Sequence, residues 1–85
     1  MSNVVVYTKD YCPYCQSAKA LLEDKGVEFK EIDVTNDEEQ LKEMLAKADG
    51  RTTVPEIFIN DKLVGGYDDL RELDESGELD KLLGL

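Results

Sequence analysis

The residues with the clearest chemical potential are Cys12 and Cys15, which are separated by a proline and a tyrosine. They are the only cysteines in this sequence of 85 residues. A β-type run, Val4-Val5-Val6-Tyr7-Thr8, precedes them, and a helix-type run over residues 16–22 follows. Two thiols at such a strand-to-helix junction favour reversible disulfide chemistry.

Three other roles for the cysteine pair are weaker. A crosslink that closes so short a loop removes little entropy from the unfolded chain, so stabilisation is a poor reason for it. Zinc prefers four ligands, whereas the sequence has two sulfurs and no histidine, so a zinc site would need a symmetric dimer. Two inert core cysteines are disfavoured because the start of a helix is a poor place for burial. The sequence therefore predicts a redox pair.

The position of Cys12 predicts that its sulfur is the reactive one. The unpaired N–H groups of Tyr14 and Cys15 should point towards this sulfur, and Lys9 adds a positive charge nearby. We therefore expect the pKa of Cys12 to lie below the ordinary value of about 8.5. Cys15 should be more buried and less ionised. A sulfur with a low pKa is a good leaving group, which suits a shuttle better than a permanent bond.

Composition and charge exclude several functions. The formal net charge is −10, from twenty acidic and ten basic residues, which disfavours nucleic acid and anionic membranes as partners. The absence of histidine removes Cys–His and Ser–His catalysis. Solubility, a cell interior with a high salt concentration or basic protein partners would each explain the excess of acidic residues.

The sequence also lacks the patterns of targeting and of membrane insertion. No apolar run approaches the roughly 20 residues of a membrane span, and Met1-Ser2-Asn3 has no features of a signal peptide. We expect one domain over residues 1–85, located in the cytoplasm.

The apolar pattern predicts an α/β fold, with a four-stranded mixed sheet and helices packed on it. Thr35 or Asn36 should cap the second helix and Asp68 the third, with Gly77 interrupting the last helical stretch. The strands are expected at Val4–Thr8, Val27–Val34, Glu56–Ile59 and Lys62–Val64. The helices are expected to begin at Pro13, after a cap at Thr35 or Asn36, and after a cap at Asp68.

Two further segments suggest ligand binding. Thr53-Val54-Pro55 precedes a strand and, taken alone, is typical of an edge or turn. In Gly65-Gly66-Tyr67-Asp68-Asp69, the glycines allow close backbone approach and the helix start offers free N–H groups to a carboxylate. The side chain of Asp68 could hold an ammonium group, so the segment suits the head group of an α-amino acid.

Together with Cys12-Pro13-Tyr14-Cys15, these segments resemble the three glutathione-site motifs of the glutaredoxin family in order and spacing. The resemblance spans nearly the whole chain and is closest to the small bacterial dithiol members. It implies a thioredoxin fold with strand order 2-1-3-4 and the third strand antiparallel to the first. It also implies a cis Val54–Pro55 bond beside the cysteines, which leaves the backbone of Val54 free to pair with a peptide.

The resemblance also implies residue roles. Cys12 would be the nucleophile and Cys15 the resolving thiol. Lys9 would pair with the glycyl carboxylate of glutathione, with Arg51 or Gln40 as helpers. The full set of predicted glutathione-binding residues is Lys9, Tyr14, Thr53, Val54, Pro55, Gly66, Tyr67 and Asp68.

The function implied is a glutathione-dependent thiol–disulfide oxidoreductase that reduces protein disulfides and glutathione mixed disulfides. Glutathione would be a co-substrate, with no tightly bound cofactor and no metal. The expected partners are glutathione and disulfide-containing or glutathionylated proteins, of the ribonucleotide reductase type by family resemblance, and we expect a monomer.

Two alternative functions remain open at this stage. One is an electron donor reduced by thioredoxin reductase, which the glutathione-site motifs argue against. The other is a dimer that holds an iron–sulfur cluster between two Cys12 thiolates and two glutathiones. Pro13 stiffens the site and, by family resemblance, disfavours the cluster.

Overall fold

The computed structural model describes residues 3–85, so the expectations for Met1 and Ser2 lie outside the described residues. The predicted element order is confirmed, and Gly77 divides the last helical stretch into two helices. Among residues 3–85, no helix is long and apolar enough to cross a membrane. The elements are β1 (Val4–Thr8), α1 (Pro13–Asp24), β2 (Lys30–Asp33), α2 (Glu38–Lys47), β3 (Glu56–Ile59), β4 (Lys62–Gly65), α3 (Tyr67–Ser76) and α4 (Glu78–Leu83).

The sheet has the strand order β2-β1-β3-β4, as predicted. β1 pairs in parallel with β2 and antiparallel with β3, and β3 forms a hairpin with β4. Asn60 and Asp61 have φ angles of 53° and 66°, the left-handed pair that a type I′ hairpin turn requires. Because β1 and β3 are antiparallel, the end of β1 lies beside the start of β3. This arrangement places the cysteines near Pro55.

Both faces of β1 are buried, as its continuous run of β-branched and aromatic residues predicts. On one face, Val4 and Val6 pack with residues of α1, α3, α4 and β3, namely Ala18, Leu22, Ile57, Ile59, Leu70, Leu79 and Leu83. On the other face, Tyr7 packs with residues beside and within α2 and β3, namely Val34, Met44, Ala48 and Phe58. β1 therefore lies between a layer that contains α1, α3 and α4 and a layer that contains α2.

β2 is shorter than expected, because it covers Lys30–Asp33 and not the predicted Val27–Val34. The N–H of Val27 donates to the carbonyl of Leu22 at 3.2 Å, so Val27 completes the end of α1 and not a strand ladder. Val27 and Phe29 still pack against the core, which explains the apolar pattern that favoured a longer strand.

The cap of α2 also differs from the expectation. Asp37 is the N-cap, and its Oδ1 accepts a hydrogen bond from the N–H of Gln40 at 3.0 Å. The prediction of Thr35 or Asn36 as the cap was therefore wrong. The side chain of Thr35 makes a different contact. Its hydroxyl oxygen accepts a hydrogen bond from the N–H of Asp10 at 2.8 Å, which ties the loop before the cysteines to the loop after β2.

Lys25 joins three helices by a small ion-pair network. It follows α1, and its Nζ lies 2.6 Å from Asp74 Oδ1 on α3 and 2.8 Å from Asp80 Oδ1 on α4. Hydrogen bonds to these two carboxylates, that to Asp74 first, raise the pKa of Lys25 above its ordinary value of 10.5. A raised pKa means that the folded state favours the charged form of Lys25.

Replacing Lys25 with methionine should lower the midpoint of thermal unfolding modestly at neutral pH. The contribution of the network to the free energy of unfolding is fully present below pH 10.5. It is lost as the pH rises through the raised pKa of Lys25. Thermal denaturation of both proteins at neutral and strongly alkaline pH checks this, with Lys62→Met on the hairpin as the control. A difference in midpoint that persists at the alkaline pH would contradict the ionic origin.

Candidate active site

Cys12 is the N-cap of α1, in an extended conformation with φ −108° and ψ 99°, and Pro13 is the first helical residue. The N–H of Cys15 donates to the Cys12 sulfur at 3.1 Å. The predicted position of the sulfur at the helix start is confirmed, although the N–H that reaches it is that of Cys15 and not that of Tyr14. A helix start is favourable for a negatively charged sulfur.

Cys12 and Cys15 form a disulfide, with their Cα atoms 5.1 Å apart. Cys15 is buried, with 1% of its surface exposed, whereas Cys12 is half-buried. The difference in exposure matches the expectation that Cys15 is the more buried of the two cysteines.

The segment Thr53-Val54-Pro55 lies beside the cysteine pair. The Val54–Pro55 peptide bond is cis, and the carbonyl oxygen of Val54 lies 3.8 Å from the Cys12 sulfur. Pro55 is buried directly before β3, which pairs with β1. The antiparallel pairing of these two strands therefore brings the backbone of Val54 to the sulfur.

The third segment joins β4 to α3. The N-cap of α3 is Gly66, so the prediction of Asp68 as the cap was wrong. The carboxylate of Asp69, in the first turn of α3, accepts a hydrogen bond from the N–H of Gly66 at 3.0 Å. Because Asp69 supplies the cap from within the helix, the residue before the helix needs no side chain. Asp68 is exposed in the first turn.

These segments enclose a cavity of about 270 Å³. Tyr14 forms part of its wall, and the rings of Tyr14 and Tyr67 lie 6.3 Å apart and tilted by 31°. Two larger cavities, of about 860 and 950 Å³, are lined by none of Tyr14, Val54 and Tyr67. The lining of the small cavity consists of Tyr14, Arg51, Thr53, Val54, Pro55, Gly66, Tyr67, Asp68 and Asp69.

The structure thus gathers all the predicted binding residues except Lys9 around one cavity. Lys9 is half-buried in the loop before Cys12 and does not line the cavity. Gln40 lies on α2, also outside the lining, and its Oε1 is buried. Of Lys9, Arg51 and Gln40, the residues considered for the glycyl carboxylate, Arg51 alone lines this cavity.

The predicted set of glutathione-binding residues omits two residues of this region. Asp69 caps α3 and lines the cavity, and Glu56 is fully buried behind the cavity wall. Glu56 Oε2 accepts a hydrogen bond from the Thr53 hydroxyl at 2.9 Å and lies 3.5 Å from Arg51 Nε. A buried carboxylate needs such partners. The sequence feature that could have predicted the burial of Glu56 is its position as the first residue of the otherwise apolar strand 56–59.

Comparison with known proteins agrees with this geometry. Residues 4–64 match the family model described as Glutaredoxin. The chain is 53% identical over 83 residues to Glutaredoxin 3 of Escherichia coli K12, covering 98% of this chain and 99% of that protein. It is 51% identical to the solution structure of a glutaredoxin from Brucella melitensis, with a TM-score of 0.82 and coverage of 95% and 87%.

A buckwheat glutaredoxin–glutathione complex is 30% identical to the chain, with a TM-score of 0.86, and the match covers 98% of this chain and 77% of that one. The structural similarity extends over the whole described sheet and its helices, so the fold is the thioredoxin fold of these proteins. On the evidence of both its sequence and its structure, the chain belongs to the glutaredoxin family.

Proposed function

We propose that the chain reduces glutathione mixed disulfides and protein disulfides with glutathione as reductant. Glutaredoxins are thiol–disulfide oxidoreductases, and Cys12 and Cys15 form a disulfide here. The observation that carries the proposal is the position of the Cys12 sulfur. It lies at the N-terminus of α1, beside the Val54 backbone and next to a cavity lined by both charged and peptide groups.

In the proposed reaction, the Cys12 thiolate attacks the glutathione sulfur of a mixed disulfide. A bond forms between Cys12 and glutathione, and the other thiol of the mixed disulfide leaves as a thiolate. A second glutathione thiolate then attacks the bound glutathione, which releases glutathione disulfide and restores the Cys12 thiolate. The N–H of Cys15 is placed to stabilise the charge on Cys12 in both steps.

Protein disulfides would use both cysteines. Cys12 attacks one substrate sulfur, and Cys15 then attacks Cys12, which releases the protein dithiol and leaves the Cys12–Cys15 disulfide. Two glutathiones reduce that disulfide in turn. The burial of Cys15 supports this division of roles, because an external disulfide meets Cys12 first.

The cavity residues suggest how glutathione would be held. The N–H and C=O of Val54 would pair with its peptide groups, and Asp68 with the first N–H groups of α3 would bind the γ-glutamyl head. Arg51 would meet the glycyl carboxylate from the cavity wall, with Lys9 as a second cation from the neighbouring loop. Arg51 matters because the chain carries a net charge of −10 while glutathione is itself anionic.

We further propose that the protein works as a monomer in the cytoplasm on disulfide-containing or glutathionylated proteins, including those of the ribonucleotide reductase type. A dithiol that depends on glutathione requires a compartment in which thiols are kept reduced. No tightly bound cofactor is needed for this chemistry, because electrons pass between sulfurs alone.

The choice of reductant tests the proposal. We expect rapid reduction of the mixed disulfide of glutathione and mercaptoethanol when glutathione, glutathione reductase and NADPH are supplied. Thioredoxin reductase with NADPH should support little turnover in the same assay. Comparable turnover with thioredoxin reductase alone would contradict the glutathione dependence and favour the alternative electron donor.

A further inference from the structure

Tyr11, the residue before Cys12, is fully exposed, with a relative accessibility of 102%. Among residues 3–85, no hydrogen bond, ion pair or ring contact involves its side chain. Exposed single apolar residues are ordinary on a protein surface. A fully exposed tyrosine that directly precedes the N-cap nucleophile in the chain is less ordinary.

The backbone of Tyr11 is also unusual. Its φ angle is 55°, in the left-handed region that bulky residues seldom adopt. Such conformations tend to occur where the surrounding structure imposes them at functional sites. The hydrogen bond from the N–H of Asp10 to Thr35 fixes the preceding residue, and the N-cap geometry of Cys12 fixes the next one. The ring is therefore projected outwards by a constrained loop.

Tyr11 is separate from the proposed glutathione site. Tyr14 and Tyr67 line the cavity, whereas Tyr11 does not. When glutathione occupies the cavity, the other half of a mixed disulfide must extend from the Cys12 sulfur towards the remaining surface. Tyr11 is the large exposed side chain of that surface outside the cavity.

The charges nearby indicate what the ring would meet. Asp10 is exposed beside Tyr11, and Asp33 is linked to the same loop through Thr35, whose N–H donates to Asp33 at 2.8 Å. Two lysines oppose these carboxylates. The proposed function turns Lys9 towards glutathione, and Lys19, which acts on Asp33, is itself paired with Glu31 at 3.0 Å. An aromatic face next to carboxylates attracts a cationic side chain by cation–π and Coulomb terms.

We propose that Tyr11 contacts the protein part of a glutathionylated substrate and favours cysteines flanked by arginine or lysine. This inference rests on the proposed function and names the substrate class of that same site. In the step concerned, the Cys12 thiolate bonds to the glutathione sulfur while the peptide cysteine leaves as a thiolate. Tyr11 holds the leaving peptide and does not take part in the bond exchange, so it is a specificity residue.

The test uses short synthetic peptides with one central cysteine in a mixed disulfide with glutathione. One peptide has arginine on both sides of the cysteine, and the other has glutamine there. Three proteins are compared: the natural chain, Tyr11→Phe, which keeps the ring, and Tyr11→Asn, which tolerates the left-handed backbone but removes the ring. The glutathione–mercaptoethanol mixed disulfide is the small substrate that has no peptide.

We expect the natural chain to favour the arginine peptide in kcat/KM, and Tyr11→Asn to lower that preference by about 2- to 5-fold. Tyr11→Phe should keep the preference, and all three proteins should reduce the small substrate equally. Comparing preferences cancels the greater intrinsic reactivity of the arginine peptide and its attraction to the acidic chain.

An equal preference in all three proteins, with normal activity on the small substrate, would overturn the inference alone. Equal slowing of every substrate by Tyr11→Asn would also overturn it, because the residue would then act on Cys12 itself. Failure of the natural chain to reduce the small substrate with glutathione would overturn the proposed function, and this inference with it.

Discussion

Replacing Cys12 with serine is expected to lower the reduction of both mixed disulfides and protein disulfides by on the order of 10³-fold or more. A serine hydroxyl is almost wholly un-ionised at neutral pH and cannot form the sulfur–sulfur intermediate. The N–H of Cys15 that reaches the Cys12 sulfur would then contact a neutral oxygen. The measurement is NADPH consumption in the glutathione reductase assay, with the two substrate types run separately.

The matched control is Cys15→Ser, which removes the buried sulfur and leaves the N-cap nucleophile in place. This variant should keep most of its activity on glutathione mixed disulfides, because glutathione itself completes that cycle. Its activity on protein disulfides should fall, since the resolving thiol is absent. Mass spectrometry should show a glutathione adduct on Cys12 of the Cys15→Ser variant. Loss of mixed-disulfide reduction in both variants would contradict the assigned roles.

Replacing Gly65 with alanine is expected to lower the free energy of unfolding by about 2–4 kcal/mol, from backbone strain and the loss of a helix cap. Gly65 has a φ of +119°, which side chains rarely permit. An added Cβ would overlap the carboxylate of Asp69, with its Cγ only 2.9 Å away. That carboxylate caps α3 by accepting from Gly66, so it could not keep its position. Urea denaturation measures the loss.

The same substitution should raise the KM for glutathione, because Gly66, Tyr67, Asp68 and Asp69 all line the cavity. Gly50→Ala is the control: its φ is +82° but nothing lies within 4 Å of the added Cβ. Gly50→Ala should lower the free energy of unfolding by roughly 1–2 kcal/mol, the strain of an alanine in the left-handed region, and leave the KM for glutathione unchanged. Equal losses of unfolding free energy in the two variants would contradict this prediction, because the overlap with Asp69 would then add nothing to the strain of a left-handed alanine.

Patterns within short stretches of sequence were informative about β1, α1 and the hairpin. The buried run Val4–Thr8, the proline at the first position of α1 and the turn at Asn60-Asp61 each depend on neighbouring residues, so their structures follow from local rules. Local pattern was misleading where several residues compete for one role. Asp37 and not Thr35 caps α2, because Thr35 bonds to Asp10, a residue distant in sequence.

Burial of polar groups was harder to anticipate. Nothing in the segment 51–56 alone shows that Glu56 is fully buried, with Thr53 and Arg51 as its partners. The burial arises because Glu56 pairs with Tyr7 across the sheet, under the cover of other elements. Likewise, Lys9 is close in sequence to Cys12, yet the fold places Arg51 and not Lys9 at the cavity wall.

Local sequence was enough to predict the reactive pair and its setting, two thiols one helical turn apart with Cys12 at the N-cap, because helix geometry directs an N–H to that sulfur. Long-range pairing in the fold was needed to bring Arg51 and the start of α3 to the cavity beside Val54, whose carbonyl oxygen lies 3.8 Å from this sulfur. It also leaves Tyr11 exposed to solvent. The two cases differ in the sequence separation of the residues that interact. Helix capping acts over three or four residues, whereas the cavity forms only when strands far apart in the chain pair and bring their ends together.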